Sequence, residues 1–116
     1  MTEHVLIDTS NGVLTLTLNR PEKKNALTGD MYGALGDAID AAASDPDVRC
    51  ILIQANGDMF TAGNDLASFA AVNSGEAPRG DQRGGSALIQ ALGRAKTPVV
   101  AAVNGRAVGV GTTMLL

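Results

Sequence analysis

Apolar and polar positions alternate along the first part of the chain, and this period-two pattern predicts β-strands. Val5–Asp8 and Val13–Asn19 flank an Asn-Gly pair, which is a strong signal for a tight hairpin turn. In the second of these runs Leu14, Leu16 and Leu18 alternate with threonines, which puts the leucines on one face of a sheet. We therefore predict an antiparallel hairpin at the start of the chain.

A helical pattern follows a polar loop. The loop Arg20–Leu27 contains Pro21, which we expect to keep it out of helical structure. Thr28 can cap a helix that runs to about Ser44. The apolar residues of this helix recur at spacings of three to four and predict one buried face: Met31, Leu35, Ile39 and Ala42.

Two later apolar runs, Val48–Ala55 and Val99–Val103, predict buried strands, the first of them a central, mostly parallel one. A helical pattern precedes the second run and is marked by Leu88, Ile89, Leu92 and Ala95. From Asn73 to Gly85 the chain is rich in Gly, Ser, Pro and charge, which predicts a mobile loop. This order of strands and helices predicts an α/β fold in which loops at the carboxyl ends of the strands carry the chemistry.

The length of 116 residues is one domain's worth of chain or less. The chain stops at Met114–Leu116, in the first turn of a predicted buried helix, and so apolar an end would normally be covered by other residues. We therefore expect residues 1–116 to be the N-terminal portion of a longer single domain. Without the rest of that domain, we expect the chain to fold poorly.

Composition excludes several classes of protein. The formal charge of −3 argues against a nucleic-acid surface. Cys50 is the only cysteine, which argues against a disulfide framework and a thiolate metal site. His4 is the only histidine, which argues against Ser–His catalysis. The N-terminus lacks the pattern of a signal peptide, and no apolar run reaches the roughly 20 residues of a membrane-spanning helix. We expect a soluble cytoplasmic protein that binds no metal.

Two loops join a predicted strand to a predicted helix, Met59–Leu66 and Asn104–Gly111, and each has glycines beside free backbone amides. The second loop does not match a dinucleotide fingerprint, and it has no lysine for a phosphate loop. Two such joints could instead converge on one oxygen atom. A pair of N–H donors there would stabilise an enolate or a tetrahedral oxyanion, which predicts an oxyanion hole.

Three blocks of sequence, in order and at the right spacing, resemble the enoyl-CoA hydratase/isomerase (crotonase) family. The blocks are Asn19-Arg20-Pro21 with Asn25-Ala26-Leu27, then Phe60–Leu66, then Ala102–Gly105 with Gly109-x-Gly111. The resemblance implies a crotonase/ClpP-like spiral of β-β-α units, truncated here after the second oxyanion-hole loop. It also implies acyl-CoA thioester substrates, coenzyme A only as part of the substrate, and a homotrimer or a hexamer made of two trimers.

The resemblance also implies roles for individual residues. The backbone N–H groups of Asn64 and Val110 match the two that polarise the thioester carbonyl in that family. The residues that match its coenzyme A and loop positions are Lys24, Ala26, Leu27, Ala62, Gly63, Asn64, Asp65, Leu66, Gly109 and Gly111. From the residues alone, Asp65 reads as a helix cap and Lys24 equally well as an ordinary surface charge.

One departure from the family pattern bears on the reaction. Hydratases carry a catalytic glutamate where this chain has Thr113, and a threonine hydroxyl is no general base at neutral pH without a partner. Some Δ3,Δ2-enoyl-CoA isomerases lack this glutamate, so isomerisation is the leading expectation and hydration the second. A non-catalytic acyl-CoA-binding or oligomerisation protein is the alternative. Serine proteases of the ClpP type share the fold, but their Gly-x-Ser-x-Gly arrangement does not occur in these loops.

Overall fold

The computed structural model describes residues 3–66 and 85–115 and contains a four-stranded mixed sheet. The strands follow one another across the sheet in chain order: β1 (Val5–Ser10), β2 (Val13–Leu18), β3 (Cys50–Ala55) and β4 (Val99–Ala101). β1 and β2 are antiparallel, whereas β2–β3 and β3–β4 are parallel. The predicted central parallel strand is therefore β3.

The predicted hairpin is confirmed, and its turn follows from the Asn-Gly pair. Ser10 pairs with Val13, so only two residues form the loop. Asn11 and Gly12 both have positive φ, 55° and 81°, as the turn type that matches the twist of a hairpin requires. The three leucines of β2 are buried on one face, as the alternating pattern predicts.

Three α-helices accompany the sheet within residues 3–66 and 85–115: α1 (Gly29–Ala42), α2 (Gly85–Arg94) and α3 (Val110–Thr113). The predicted cap of α1 is present, because the Thr28 side chain accepts a hydrogen bond from the Met31 N–H at 3.3 Å. All four predicted core residues of α1 are buried, and Leu88 and Ala91 of α2 join the same core. Within the described part of the chain, every helix is too short or too polar to cross a bilayer.

The prediction that Pro21 keeps its loop out of helical structure is wrong. Pro21 begins a single 3₁₀ turn, Pro21–Lys23, which ends at a left-handed Lys24. Proline restricts the residue before it, and Arg20 is indeed non-helical, with φ −139° and ψ 52°. At the first helical position, however, its missing N–H has no intrahelical acceptor to lose.

Several element boundaries differ from the sequence prediction: β1 continues to Ser10, β2 ends at Leu18, α1 ends at Ala42 and β3 begins at Cys50. β4 ends at Ala101 instead of Val103, because the chain leaves the sheet and the Asn104 side chain donates to the Gly57 carbonyl at 2.7 Å. The mobile loop predicted over residues 73–85 lies outside the described residues except for its last residue, Gly85, which begins α2.

Gly36 in the middle of α1 tests how far helix propensity limits the stability of this fold. A Cβ added at Gly36 meets nothing within 4 Å, so Gly36→Ala should raise the free energy of unfolding by up to about 1 kcal/mol. Gly12→Ala is the matched contrast, since φ at Gly12 is +81° and a Cβ there costs about 1–2 kcal/mol. Urea unfolding of both variants measures the difference, and a destabilising Gly36→Ala would contradict the packing described for α1.

Candidate active site

The site is built around one stretch, residues 60–65, which we call the central segment and which forms isolated bridges at Thr61 and Asn64. Its first neighbour is the loop before α1. The Leu27 N–H donates to the Gly63 carbonyl at 2.7 Å, and the Asp65 N–H donates to the Leu27 carbonyl at 2.9 Å. These two bonds form a parallel bridge between Leu27 and Asn64. The sequence blocks that contain Leu27 and Asn64 are therefore neighbours in space.

The opposite side of the central segment pairs with residues 104–111, which we call the glycine loop. The Thr61 N–H donates to the Arg106 carbonyl at 3.2 Å, and the Val108 N–H donates to the Thr61 carbonyl at 3.1 Å. Because this pairing is also parallel, the glycine loop runs alongside the central segment in the same direction. The two predicted loops are thus hydrogen-bonded to each other.

The two loops are closest at their glycines. A Cβ added at Gly63 would lie 2.9 Å from the Val108 carbonyl oxygen and 3.8 Å from the Gly109 Cα. A Cβ added at Gly111 would lie only 2.3 Å from the Thr61 methyl carbon. Side chains at Gly63 or Gly111 would therefore push the loops apart, which explains why glycine occupies both positions.

The N–H groups of Asn64 and Val110 are the two donors expected from the family resemblance. In a parallel bridge the residue opposite Leu27 turns its own N–H away from Leu27, so the N–H of Asn64 points away from it. Val110 is the first residue of α3, where an N–H has no acceptor within the helix. Among residues 3–66 and 85–115, neither N–H donates a hydrogen bond.

A buried asparagine organises the backbone around the central segment. Asn25 is 1% exposed, and its side-chain NH₂ donates to the carbonyls of Asn56 and Met59 at 2.8 and 2.9 Å. Its side-chain oxygen accepts from the Arg20 N–H at 2.7 Å. Because a buried amide is costly unless it is fully hydrogen-bonded, this residue fixes its own loop at Arg20 and the turn from Asn56 to Met59 relative to one another.

Thr61 is fully buried and joins the same network. Its hydroxyl donates to the Asn25 carbonyl at 2.6 Å and accepts from the Gly63 N–H at 3.1 Å. Gly63 is thereby held on both sides, by its N–H through Thr61 and by its carbonyl through Leu27. The peptide just before Asn64 has little freedom to move.

Asp65 forms an ion pair that the sequence did not suggest. Arg20 lies 2.6 Å from the Asp65 carboxylate and also donates to the Ala26 carbonyl at 3.0 Å. Both charged side chains are largely buried, 14% and 12% exposed, so solvent screens their attraction only weakly. The helix that Asp65 was predicted to cap lies outside the described residues beyond Leu66.

Tyr32 of α1 contacts the central segment through its side chain. The side chain is fully buried, and its hydroxyl donates to the side-chain oxygen of Asn64. Burial raises the pKa of Tyr32 to about 12, because the charged phenolate would lose its hydration. The phenol therefore stays protonated and remains a hydrogen-bond donor across the physiological pH range.

The remaining predicted coenzyme A residues surround the same segment. The Lys24 carbonyl accepts from the Ala62 N–H at 3.0 Å, while its side chain is exposed beside a polar cavity of about 520 Å³ that Asp58 and Arg106 also line. Leu66 is 78% exposed. Apart from Leu66, which directly follows the central segment, the predicted site residues thus lie on that segment or on the two stretches paired with it.

The hydroxyl of Thr113 is already engaged in a hydrogen bond. It donates to the Gly109 carbonyl at 3.3 Å, and the hydroxyl of Thr112 donates to the Ala107 carbonyl at 2.6 Å. Thr113 lines a mainly apolar cavity of about 410 Å³ between β3, β4, α2 and the turn after α3. In the described parts of the chain, no three His, Cys, Asp or Glu side chains are grouped so that they could hold a metal ion.

Four residues of the site were not assigned a role from the sequence: Arg20, Asn25, Thr61 and Tyr32. Arg20, Asn25 and Thr61 belong to the blocks that carry the family resemblance, but a single sequence does not tell a structural polar residue from a binding one. Tyr32 had a usable signal. It adjoins the apolar face of α1, and a phenol buried there needs a hydrogen-bond partner.

Comparison with known proteins agrees with this architecture. A family model described as enoyl-CoA hydratase/isomerase matches residues 8–116, and the chain belongs to this family. It is 36% identical over 119 residues to 1,2-epoxyphenylacetyl-CoA isomerase from Escherichia coli, covering 100% of this chain and 45% of that protein. It is 32% identical over 116 residues to human enoyl-CoA delta isomerase 2, covering 97% of this chain and 29% of that protein.

A solved structure gives the same answer for the fold. The crystal structure of enoyl-CoA hydratase EchA8_6 from Mycobacterium marinum superimposes with a TM-score of 0.90 at 41% identity, covering 97% of this chain and 53% of that one. The family and the crotonase fold expected from the sequence are therefore confirmed. The chain spans about half the length, or less, of these relatives.

The contact between Gly111 and Thr61 can be tested by a clash and its relief. Gly111→Ala should lower the melting temperature by several degrees, because the new Cβ would sit 2.3 Å from the Thr61 methyl carbon. Thr61→Ser removes that methyl and keeps the hydroxyl that donates to Asn25. The double variant should regain most of the loss. Equal losses in Gly111→Ala with and without Thr61→Ser would contradict the close approach.

The ultraviolet absorbance of tyrosinate reports Tyr32 when the titration of Tyr32→Phe is subtracted from that of the wild-type full-length protein. This difference should titrate near pH 12 instead of near the ordinary value of about 10, because the Tyr32 phenol is buried. Since the folded-state pKa is the higher one, its contribution to stability is complete below pH 10 and is lost as the pH rises towards 12. Tyr32→Phe removes this contribution, and a midpoint near pH 10 would contradict the buried phenol.

Proposed function

We propose that the central segment and the glycine loop form the oxyanion hole of an acyl-CoA thioester enzyme, with the N–H groups of Asn64 and Val110 as its two donors. One observation carries this proposal, the close approach of Gly63 and Gly109: a Cβ added at either glycine would lie within 4 Å of the other's Cα. Each of these glycines directly precedes a proposed donor residue, so their close approach supports a common target for the two N–H groups. Among the described residues, neither N–H donates a hydrogen bond.

The chemistry follows from where charge develops. Removing a proton from the carbon next to a thioester moves negative charge onto the carbonyl oxygen. Two fixed N–H donors stabilise that oxygen more strongly in the enolate than in the ground state, which lowers the barrier. Returning the proton to the γ-carbon of a 3-enoyl thioester gives the 2-enoyl isomer, so one carboxylate that shuttles the proton is sufficient for isomerisation.

We propose that coenzyme A extends from this oxyanion hole along the central segment. Lys24, Ala26 and Leu27 form one wall of the path, and Ala62–Leu66 form its floor. The exposed Lys24 and Arg106 beside the polar cavity supply positive charge that suits phosphate groups. Coenzyme A enters as part of the substrate, so we expect no permanently bound cofactor.

The identity of residue 113 favours isomerisation over hydration. Hydration needs a base to activate water, and the Thr113 hydroxyl is already donated to the Gly109 carbonyl. Two relatives are named as isomerases, one of 1,2-epoxyphenylacetyl-CoA and one of enoyl-CoA, whereas the Mycobacterium marinum structure is named a hydratase. We propose isomerisation of an unsaturated acyl-CoA first and hydration second, with the carboxylate base outside the described residues.

A second candidate is a protein that binds acyl-CoA without turning it over, which Thr113 in place of a carboxylate favours. The two are separated by mixing the full-length protein with 3-enoyl-CoA and following the absorbance of the conjugated 2-enoyl product. Binding detected by calorimetry without product would favour the second candidate. A homotrimer or hexamer in the cytoplasm, as expected from the family resemblance, stays part of this proposal.

Val110 offers a matched pair of variants for the oxyanion hole. Val110→Pro deletes the donor N–H, and proline is tolerated at the first position of a helix. Turnover of 3-enoyl-CoA should fall by about 10²–10³-fold, which corresponds to roughly 2.7–4 kcal/mol of barrier. Val110→Ala keeps the N–H and should keep most of the activity. Equal activity in the two variants would remove the proposed donor.

A further inference from the structure

Tyr32 joins the core of the fold to the proposed donor residue. Its ring lies among the buried residues of α1, and it is 0% exposed. Its only polar side-chain atom, the hydroxyl, donates to the side-chain oxygen of Asn64, a residue that is itself exposed. The phenol thus links the protein interior to a surface residue whose backbone N–H is a proposed donor.

Asn64 is held through the peptides on either side of it and through its own side chain. On either side of it, the Gly63 carbonyl and the Asp65 N–H are both bonded to Leu27. The backbone of Asn64 itself makes no hydrogen bond among residues 3–66 and 85–115. Two constraints therefore act on the donor: Leu27 holds the Gly63–Asn64 peptide through its carbonyl, and Tyr32 holds the Asn64 side chain, which is attached to the Cα next to the donor nitrogen.

We propose that Tyr32 is a positioning residue for the reaction, which it serves by holding the Asn64 side chain so that the Asn64 N–H stays aimed at the thioester oxygen. This inference rests on the proposed function and adds to it a residue in α1, at the base of the site. The phenol does not touch the substrate. It acts only through Asn64.

The hydroxyl of Tyr32 holds Asn64, whereas the ring of Tyr32 packs in the core, and the two roles can be separated. A phenylalanine at the same position would fill nearly the same volume in the core, so the ring alone accounts for the packing. What phenylalanine lacks is the donor to Asn64. An oxyanion hole depends on donors whose direction is set before the substrate arrives, and displacing a reacting group by about 1 Å can lower a rate by about a hundredfold.

The test compares Tyr32→Phe with Asn64→Ala in the full-length protein, using 3-enoyl-CoA as the substrate. Tyr32→Phe should lower kcat about tenfold with little change in KM, since the substrate still binds while the donor is less well aimed. Asn64→Ala keeps the backbone N–H but removes the acceptor, and it should cause a similar loss. The double variant should be no slower than either single variant, because both changes break one interaction.

Leu35→Met serves as the control on the same buried face of α1, and it should leave kcat unchanged. Tyr32→Phe with wild-type kcat would overturn the inference, and so would losses that multiply in the double variant. If Tyr32→Phe fails to fold, Asn64→Ala still decides, since its side chain is at the surface: an unchanged kcat overturns the inference. A wild-type protein that turns over no enoyl thioester removes the proposed function as well, whereas an active wild type with an unaffected Tyr32→Phe removes only the role of Tyr32.

Discussion

Backbone pairing on both edges of residues 60–65 is the constraint on which the rest of the site depends. One edge takes its hydrogen bonds from Leu27, and the other takes them from the glycine loop at Arg106 and Val108. Stretches far apart in the sequence are thereby aligned in parallel, as strands of a sheet are. The alignment brings Gly63 next to Gly109, and it works only if no side chain intervenes, which is why a Cβ at Gly63 or Gly111 would meet other atoms at 2.9 and 2.3 Å.

Buried polar side chains, in addition to the backbone hydrogen bonds, hold these loops in place. The Asn25 side chain donates to the Asn56 carbonyl, and the Thr61 hydroxyl donates to the Asn25 carbonyl. Within the described residues no buried side-chain polar atom lacks a hydrogen-bond partner. Leaving one of these groups unsatisfied costs about 1–3 kcal/mol, a large fraction of the stability of a small domain. The Arg20–Asp65 ion pair adds a charged link beside Asn64. The network therefore makes the position of the donor residues part of the stability of the fold.

The sequence predicted the regular elements well where one local rule decides them. The Asn-Gly turn requires positive φ, the Thr28 cap satisfies a free N–H, and the spacing of Met31, Leu35 and Ile39 matches a helix face. The prediction for Pro21 was wrong because two rules about proline compete. Proline disfavours a helical conformation in the preceding residue, but it is itself tolerated at the first helical position, where Pro21 lies.

The two loops that form the candidate site were identifiable from the sequence, whereas the side chains that support them were not. Glycines after apolar runs marked both loops, and the family resemblance aligned them. The partners of Asp65 and Asn64 come from Arg20, 45 positions away, and from Tyr32, 32 positions away. Pairs at such separations are fixed by tertiary packing, for which a single sequence has no periodic signal. The same limit applies to Asn25, whose three partners lie in two different loops.

The central claim is that the N–H groups of Asn64 and Val110 meet at one thioester oxygen. A crystal structure of the full-length protein with an unreactive analogue of 3-enoyl-CoA tests it most directly. The account predicts that the carbonyl oxygen of the analogue lies about 3 Å from both backbone nitrogens, with the rest of the coenzyme running past Leu27 and Ala62. An oxygen bound to only one of these nitrogens, or an analogue seated elsewhere on the protein, would contradict it.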